Sequence, residues 1–212
     1  MVHTLINLAF LNTRPTGLMT YGANVFPQLR SLNLTLLSGQ TVTGYATHPI
    51  PANMTADQGS RGHLRRLLWT QGSLPRLFRQ LRGTLLFSPI PEAPLVAGVP
   101  YVVTVHDLIP LRFPQRFSPL TLYQRFYVPQ VLKGARHILA NSEATAADVV
   151  DFFGIPAQQI TPIPLAYDRQ QFRYLDLPPE PYFLYIGRPD PHKNLHRLIA
   201  AFAQLSIEPG IE

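Results

Sequence analysis

The feature that most constrains this chain is Tyr101-Val-Val-Thr-Val-His-Asp-Leu-Ile-Pro110, an apolar, β-branched run that stops at a His-Asp pair and a proline. Its lack of polar alternation reads as a strand buried on both faces, the signature of an interior strand in a parallel α/β sheet. In open sheets of that kind ligands bind beyond the carboxyl ends of the strands, so His106 and Asp107 are expected at the mouth of a cleft. On position alone, a hydrogen-bonded loop histidine and a turn-forming aspartate explain the pair equally well.

The flanking sequence supplies the rest of such a sheet. Residues 4–11 read as a first strand, followed by Asn12-Thr-Arg-Pro-Thr-Gly-Leu18 and a helical stretch from Leu18 to about Leu32. Gly17 lacks the Cβ that would hold a phosphate or sugar away from backbone N–H groups, although a lone loop glycine is usually only a turn residue. A second strand is expected over Asn33–Ser38, a long mobile loop over Gln40–Ser60 and another strand over Thr84–Ser88. A helix kinked at Pro129 follows over Pro119–Gly134, and Arg136–Ala140 is a strand. It leads into a helix that Ser142 caps and Gly154 terminates. With a strand at Ile160–Leu165, the β-α-β succession predicts a mostly parallel, Rossmann-like α/β sheet with helices on both faces.

With 46% hydrophobic and 14% charged residues among 212, the chain can bury a sizeable core and is not a disordered sequence. It has no cysteine, which excludes disulfides, thiol nucleophiles and Cys-ligated zinc and suits a reducing compartment. The first ten residues lack the basic region and cleavage site of a signal peptide. No apolar run approaches the roughly 20 residues that cross a bilayer. The expectation is a cytoplasmic protein, in peripheral contact with the inner face of a membrane.

A net charge of +6 points to an anionic partner: ligand phosphates, acidic lipid or nucleic acid. The basic residues concentrate in Arg61–Gly83, where Arg61, Arg65, Arg66, Arg76, Arg79 and Arg82 alternate with leucines, Trp69 and Phe78. Two short amphipathic helices broken at Gly72-Ser-Leu-Pro75 fit this pattern, either as a surface for anionic lipid over Arg61–Arg82 or as ordinary solvated helices. Nucleic-acid binding rests on net charge alone and has no recognition motif behind it.

Three segments are expected: a domain over residues 1–167, a Pro-rich linker over 168–181, and the start of a second domain over 182–212. In the last, Tyr182-Phe-Leu-Tyr-Ile-Gly187 reads as a new buried strand and Asn194–Leu205 as a helix with Leu195, Leu198, Ile199, Phe202 and Leu205 on one face. Between them, Gly187-Arg-Pro-Asp-Pro-His-Lys-Asn194 puts a guanidinium and an ammonium just before a helix N-terminus, where free N–H groups already favour an anion. A pyrophosphate fits such a loop. A lone exposed basic loop has the same sequence.

Taken in register, Arg14-Pro-Thr-Gly17, Val105-His-Asp-Leu-Ile-Pro110, Ala140-Asn-Ser-Glu143, Ile163-Pro164 and Tyr182-Phe-Leu-Tyr-Ile-Gly-Arg-Pro-Asp-Pro-His-Lys-Asn-Leu195 closely resemble the group 1 (family 4) retaining glycosyltransferases. The similarity is greatest to bacterial mannosyl- and glucosyltransferase-like members that build polysaccharides. The resemblance implies a GT-B fold, with two Rossmann-like domains across a cleft, the acceptor on the first and the nucleotide-sugar on the second. It implies that Gly17 approaches the donor, that His106 contacts the transferred sugar near its anomeric carbon, and that Arg188 and Lys193 hold the leaving pyrophosphate. Asp107 and Glu143 match motif positions and are assigned orienting or structural roles. No metal or other cofactor is implied. The donor it implies is a GDP- or UDP-hexose, and the acceptor a glycan or lipid-linked sugar.

The family's E-x7-E donor element is absent from the sequence as read to Glu212; Glu143 and Asp151 stand eight apart in the first domain and do not replace it. A truncated second domain with little transferase activity of its own is therefore expected. The competing reading is a non-catalytic remnant or subunit that binds either an anionic membrane surface or a partner chain supplying the missing domain.

Overall fold

The structure, a computed structural model, describes residues 2–12, 16–96, 98–169, 171–178, 180 and 182–205. The chain forms two compact units, Met1–Leu165 and Ala166–Glu212. The first is built on β1 (His3–Asn7), α1 (Gly17–Val25), β2 (Asn33–Ser38), β3 (Thr47–Pro49), α2 (Gly59–Gln80), β4 (Leu85–Ser88) and β5 (Tyr101–Val105). It continues through α3 (Ile109–Arg112), α4 (Pro119–Leu122), α5 (Val128–Gly134), β6 (His137–Ala140), α6 (Glu143–Phe153) and β7 (Ile160–Pro162).

All seven strands are parallel, in the order β3-β2-β1-β4-β5-β6-β7. Successive side chains leave opposite faces of a strand, so each interior strand feeds two cores. Leu5, Leu37, Leu86, Val103 and Ile138 point to one face, under Leu74, Leu77 and Phe78 of α2, Val131 of α5 and Val149 of α6. Ile6, Leu36 and Phe87 point to the other, with Phe26 at the end of α1. Leu5 and Ile6 have no exposed surface, and each such burial contributes about 1.5–3 kcal/mol. Because the strands are parallel, their carboxyl ends, including that of β5, lie along one edge.

Local chemistry sets the element ends. The Ser142 side chain accepts a hydrogen bond from the Thr145 amide at the start of α6, and Gly154 closes that helix at φ 64°, a left-handed conformation that favours glycine. Pro27 tightens the end of α1 into a 3-10 turn, Phe26–Leu29, so the helix stops short of Leu32.

Three expectations are corrected, and one helix gains a detail. Residues 40–60 are not a mobile loop: β3 pairs with β2, Thr55 and Gln58 form a capping box, and a Cβ on Gly39 would meet the Ala52 Cα at 2.9 Å. The basic segment is one 22-residue helix, α2, that runs through Pro75. A mid-helix proline costs about 3 kcal/mol, and burial of Leu74, Pro75, Leu77 and Phe78 offsets it. The helix expected over 119–134 has those bounds, with one addition: it carries a π turn, Tyr123–Tyr127, just before Pro129, whose missing N–H leaves the Arg125 carbonyl without its helical partner. In the second unit residues 182–187 are exposed and form no strand, Ile186 being 85% accessible. A strand needs a hydrogen-bonded neighbour, and no described residue of that unit lies in one.

The described residues of the second unit form an irregular, mostly exposed segment, a 3-10 turn at Pro191–Lys193 and α7 (Leu195–Phe202). Phe183 packs edge-to-face on Phe202 at 5.4 Å, while Leu198 and Ile199 of α7 stay at least half exposed. Among the described residues no helix is long and apolar enough to cross a membrane.

Candidate active site

His106 stands one residue beyond β5 on the carboxyl edge, partly buried and held from three sides. Its Nε2 lies 2.8 Å from the carbonyl oxygen of Pro89, in the loop after β4. A carbonyl only accepts, so Nε2 carries the proton and, in the neutral ring, Nδ1 is a bare acceptor. Burial pushes the pKa below the usual histidine value, against smaller upward pulls from Pro89 and Asp107. At neutral pH the side chain is therefore an uncharged imidazole with one acceptor nitrogen to offer.

The main chain of His106 is braced by α6. Thr145 Oγ1 lies 3.1 Å from the His106 carbonyl oxygen and 3.0 Å from Asn141 Oδ1, its single proton serving one at a time, and it accepts from Ser142 Oγ. The Asn141-Ser-Glu motif thus acts here through its first two residues and Thr145. Glu143 itself is exposed in the first turn of α6, where a carboxylate complements the helix dipole. Asp107 is exposed as well. Its Oδ1 accepts from the Ile109 amide at 3.1 Å, forming a turn, and its carbonyl accepts from the Gln124 side chain.

From the other side comes Tyr21, which sequence reasoning missed. Its ring meets the His106 ring edge-on at 4.6 Å, and its hydroxyl lies 3.2 Å from Thr104 Oγ1. Tyr21 is four residues after Gly17 and so shares its face of α1. The contact brings the start of α1, capped by Thr16, to the His106 side of the sheet edge. A Cβ on Gly17 would meet nothing within 4 Å, so packing within the protein does not require glycine there. Residues 13–15 of this motif, including Arg14, lie outside the described residues. The only advance signal for Tyr21 was its i+4 spacing from Gly17.

Among the hollows that border the first unit, two lie at opposite edges of its sheet. One of about 100 Å³, lined by Ala9, Asn12, Gly39, Gln40, Thr55 and Asp57, lies on the carboxyl edge beyond β1 and β2. It is smaller than the ~300 Å³ at which small-molecule pockets begin. The other, about 360 Å³ beside Arg30, Leu34 and Tyr45, is at the amino ends of β2 and β3, the wrong edge for a ligand in a sheet of this kind.

Arg66 of α2 does not belong to the basic surface. It is buried, and its Nε and a terminal nitrogen donate to the two carboxylate oxygens of Glu92 at 2.7 and 2.9 Å. Its other terminal nitrogen donates to the Met54 carbonyl. The helix's outer face keeps Arg61, Arg65, Arg76 and Arg79, with Leu64 and Leu68 exposed among them.

Arg188 and Lys193 belong to the second unit. Both are exposed on the connection into α7, separated from it by Asn194 in a left-handed conformation at φ 55°. The Arg188 guanidinium donates to Asp190 Oδ1 at 3.3 Å, and the Tyr185 hydroxyl donates to the Arg188 carbonyl. Such an exposed ion pair is weak, so the guanidinium remains available to an anion.

Residues 46–171, more than half of the chain, match the model of Glycosyltransferase Family 4. Over 207 residues the chain is 25% identical to the O-antigen chain mannosyltransferase RfbU of Salmonella typhimurium, covering 92% of this chain and 57% of that protein. The chain thus spans a little over half the length of that curated relative. The apo form of lipopolysaccharide outer core galactosyltransferase WaaB superposes with a TM-score of 0.54 at 10% identity, over 97% of this chain and 58% of that one. A glycosyltransferase from Rickettsia africae ESF-5 aligns at a TM-score of 0.47 and 12% identity, over 98% and 51% of the two chains. The superposition on WaaB bears on fold, and it agrees with a Rossmann-like parallel sheet of the GT-B type. The match over residues 46–171 goes further: this chain belongs to glycosyltransferase family 4.

Proposed function

We propose that this chain carries the acceptor-side domain and the pyrophosphate loop of a retaining hexosyltransferase, with mannose as the sugar and a surface polysaccharide or its lipid-linked precursor as the product. The observation that carries the reading is His106: a neutral imidazole on the carboxyl edge, beside the start of α1, with Nδ1 unprotonated. Such a nitrogen accepts a hydrogen bond from a sugar hydroxyl. It cannot protonate a leaving group at neutral pH, because its one proton is engaged by Pro89.

In the reaction the bond from the anomeric carbon to the donor diphosphate breaks and its electron pair leaves with the diphosphate. The acceptor oxygen bonds to that carbon, and its proton leaves with the diphosphate. Arg188 and Lys193 would take up the growing phosphate charge without a metal, as fixed cations that need no reorganisation. Gly17 would leave room for the donor at the start of α1, Asp107 would shape the turn after His106, and Glu143 would support the start of α6. The 25% identity to a mannosyltransferase of O-antigen synthesis supports the choice of sugar and pathway class.

A lipid-linked acceptor requires a membrane nearby. The outer face of α2, with Arg61, Arg65, Arg76 and Arg79 around Leu64 and Leu68, suits an anionic bilayer surface, where each Arg near the surface contributes about 1 kcal/mol. Flotation with phosphatidylglycerol vesicles, weakened in an Arg61→Glu, Arg65→Glu variant, tests that part.

The donor site is tested by calorimetric titration of the chain with GDP-mannose and UDP-glucose. Saturable binding that disappears in the Arg188→Ala, Lys193→Ala variant is expected. Equal binding by that variant, or none by the unaltered chain, overturns the assignment of the loop.

A further inference from the structure

The loop after β4, Ser88-Pro-Ile-Pro-Glu-Ala-Pro94, carries the carbonyl that fixes His106, and it is itself gripped at every second residue. The Pro89 carbonyl takes the His106 proton; the Pro91 carbonyl accepts from the Tyr123 hydroxyl at 3.2 Å; the Ala93 carbonyl accepts from Gln71 at 3.0 Å and Tyr127 at 3.3 Å. The Glu92 amide closes a tight turn on the Ile90 carbonyl at 2.8 Å. Three prolines in seven residues fix φ at three points, so movement at one end of the loop is carried along it.

The strongest of these holds is on the Glu92 side chain, which is 1% exposed. Arg66 grips it with two charge-assisted hydrogen bonds, and all three guanidinium nitrogens are occupied: by Glu92, by the Met54 carbonyl, and by His63 Nδ1 at 2.8 Å. Burying an ion pair this thoroughly is a poor route to stability, since apolar residues of similar volume usually serve as well. What the pair supplies is directional: bidentate geometry sets where Glu92, and with it Pro89, can lie.

We propose that Glu92 is a positioning residue for His106: gripped by Arg66, it fixes the Ser88–Pro94 loop so that the Pro89 carbonyl holds the Nε2 proton and Nδ1 faces the site as a bare acceptor. The functional consequence rests on the reading of His106 as a sugar contact, whereas the geometry does not. Glu92 acts through three residues of stiff backbone and touches no substrate.

The test is the tautomer of His106, read by two-bond ¹H–¹⁵N correlations on the full chain labelled at histidine, with His106→Gln used to assign the signal. In the unaltered chain the Nε2–H form should dominate, with a titration midpoint below that of a free histidine. In Arg66→Met, Glu92→Met, which removes both charges and strands neither, the ratio of Nε2–H to Nδ1–H should fall about fivefold, the effect of losing one neutral hydrogen bond. Its midpoint should also fall further below the ordinary value, because the Pro89 carbonyl is one of the groups that pull it upward. An unmoved tautomer ratio in a folded double variant overturns the proposal. If the double variant does not fold, Tyr123→Phe decides, because it removes only the hydroxyl that lies 3.2 Å from the Pro91 carbonyl and 3.5 Å from Glu92 Oε1; a smaller shift in the same direction supports the proposal and no shift overturns it. No donor or acceptor enters this measurement, so its outcome is independent of the nucleotide-sugar titration.

Discussion

Two apolar runs of five residues, Tyr101-Val-Val-Thr-Val105 and Tyr182-Phe-Leu-Tyr-Ile186, each lead into a chemistry-bearing loop, and their surroundings differ completely. The first is hydrogen-bonded between β4 and β6, with Val103 fully buried. The second has no strand beside it among the described residues, and every one of its side chains is exposed. Apolar, β-branched or aromatic composition is compatible with a strand but does not make one; the neighbouring ladder does. The same contrast separates the charged residues: Arg66 is buried and fully bonded, whereas Arg188 is in water beside Asp190.

The sharpest way to break this contrast is at those arginines. Arg66→Ala should cost about 3–5 kcal/mol in urea unfolding, because it leaves the Glu92 charge buried without a partner. Arg188→Ala should stay within about 0.5 kcal/mol, as exposed pairs do. Next come the apolar runs: Leu5→Ala, at a site with no exposed surface, should cost about 2–5 kcal/mol, and Leu184→Ala less than about 0.5 kcal/mol in the same experiment. Comparable losses at Leu5 and Leu184 would show that residues 182–187 are covered in solution. The Ser142→Ala change, which removes the cap of α6, should cost about 1 kcal/mol.

The smallest effect is with pH. Burial lowers the pKa of both His63 and His106, so each binds a proton more weakly folded than unfolded. Their contribution is complete above the ordinary histidine value of about 6.5, is lost as pH falls through it, and levels off below the folded values. Thermal unfolding followed from about pH 7.5 to about pH 5 should show that decline, and the His63→Gln, His106→Gln variant should flatten it.

What could be read from the chain in advance was local. The strands at 33–38 and 101–105, the Ser142 cap and the Gly154 stop depend on residues within a few positions of one another, and the structure has them at those places. Missed features depend on distant partners. The passage of α2 through Pro75 is decided by the sheet beneath it, and β3 by its pairing with β2. The inward turn of Arg66 depends on a glutamate 26 residues away, and the Tyr21–His106 contact joins the first helix to the end of β5. A basic run looks the same in sequence whether a carboxylate waits beneath one of its members or not.

The prolines of the Ser88–Pro94 ribbon have a consequence for the chemistry it borders. Positions 89, 91 and 94 contribute oxygen but no amide hydrogen, so this stretch of main chain is lopsided, rich in lone pairs and poor in protons. Any side chain that settles against Pro89 must come with a hydrogen to give, and a neutral imidazole has only one. Having spent it there, the ring turns a purely electron-rich edge outward, and the polarity of whatever docks against His106 is decided by the one oxygen behind the ring.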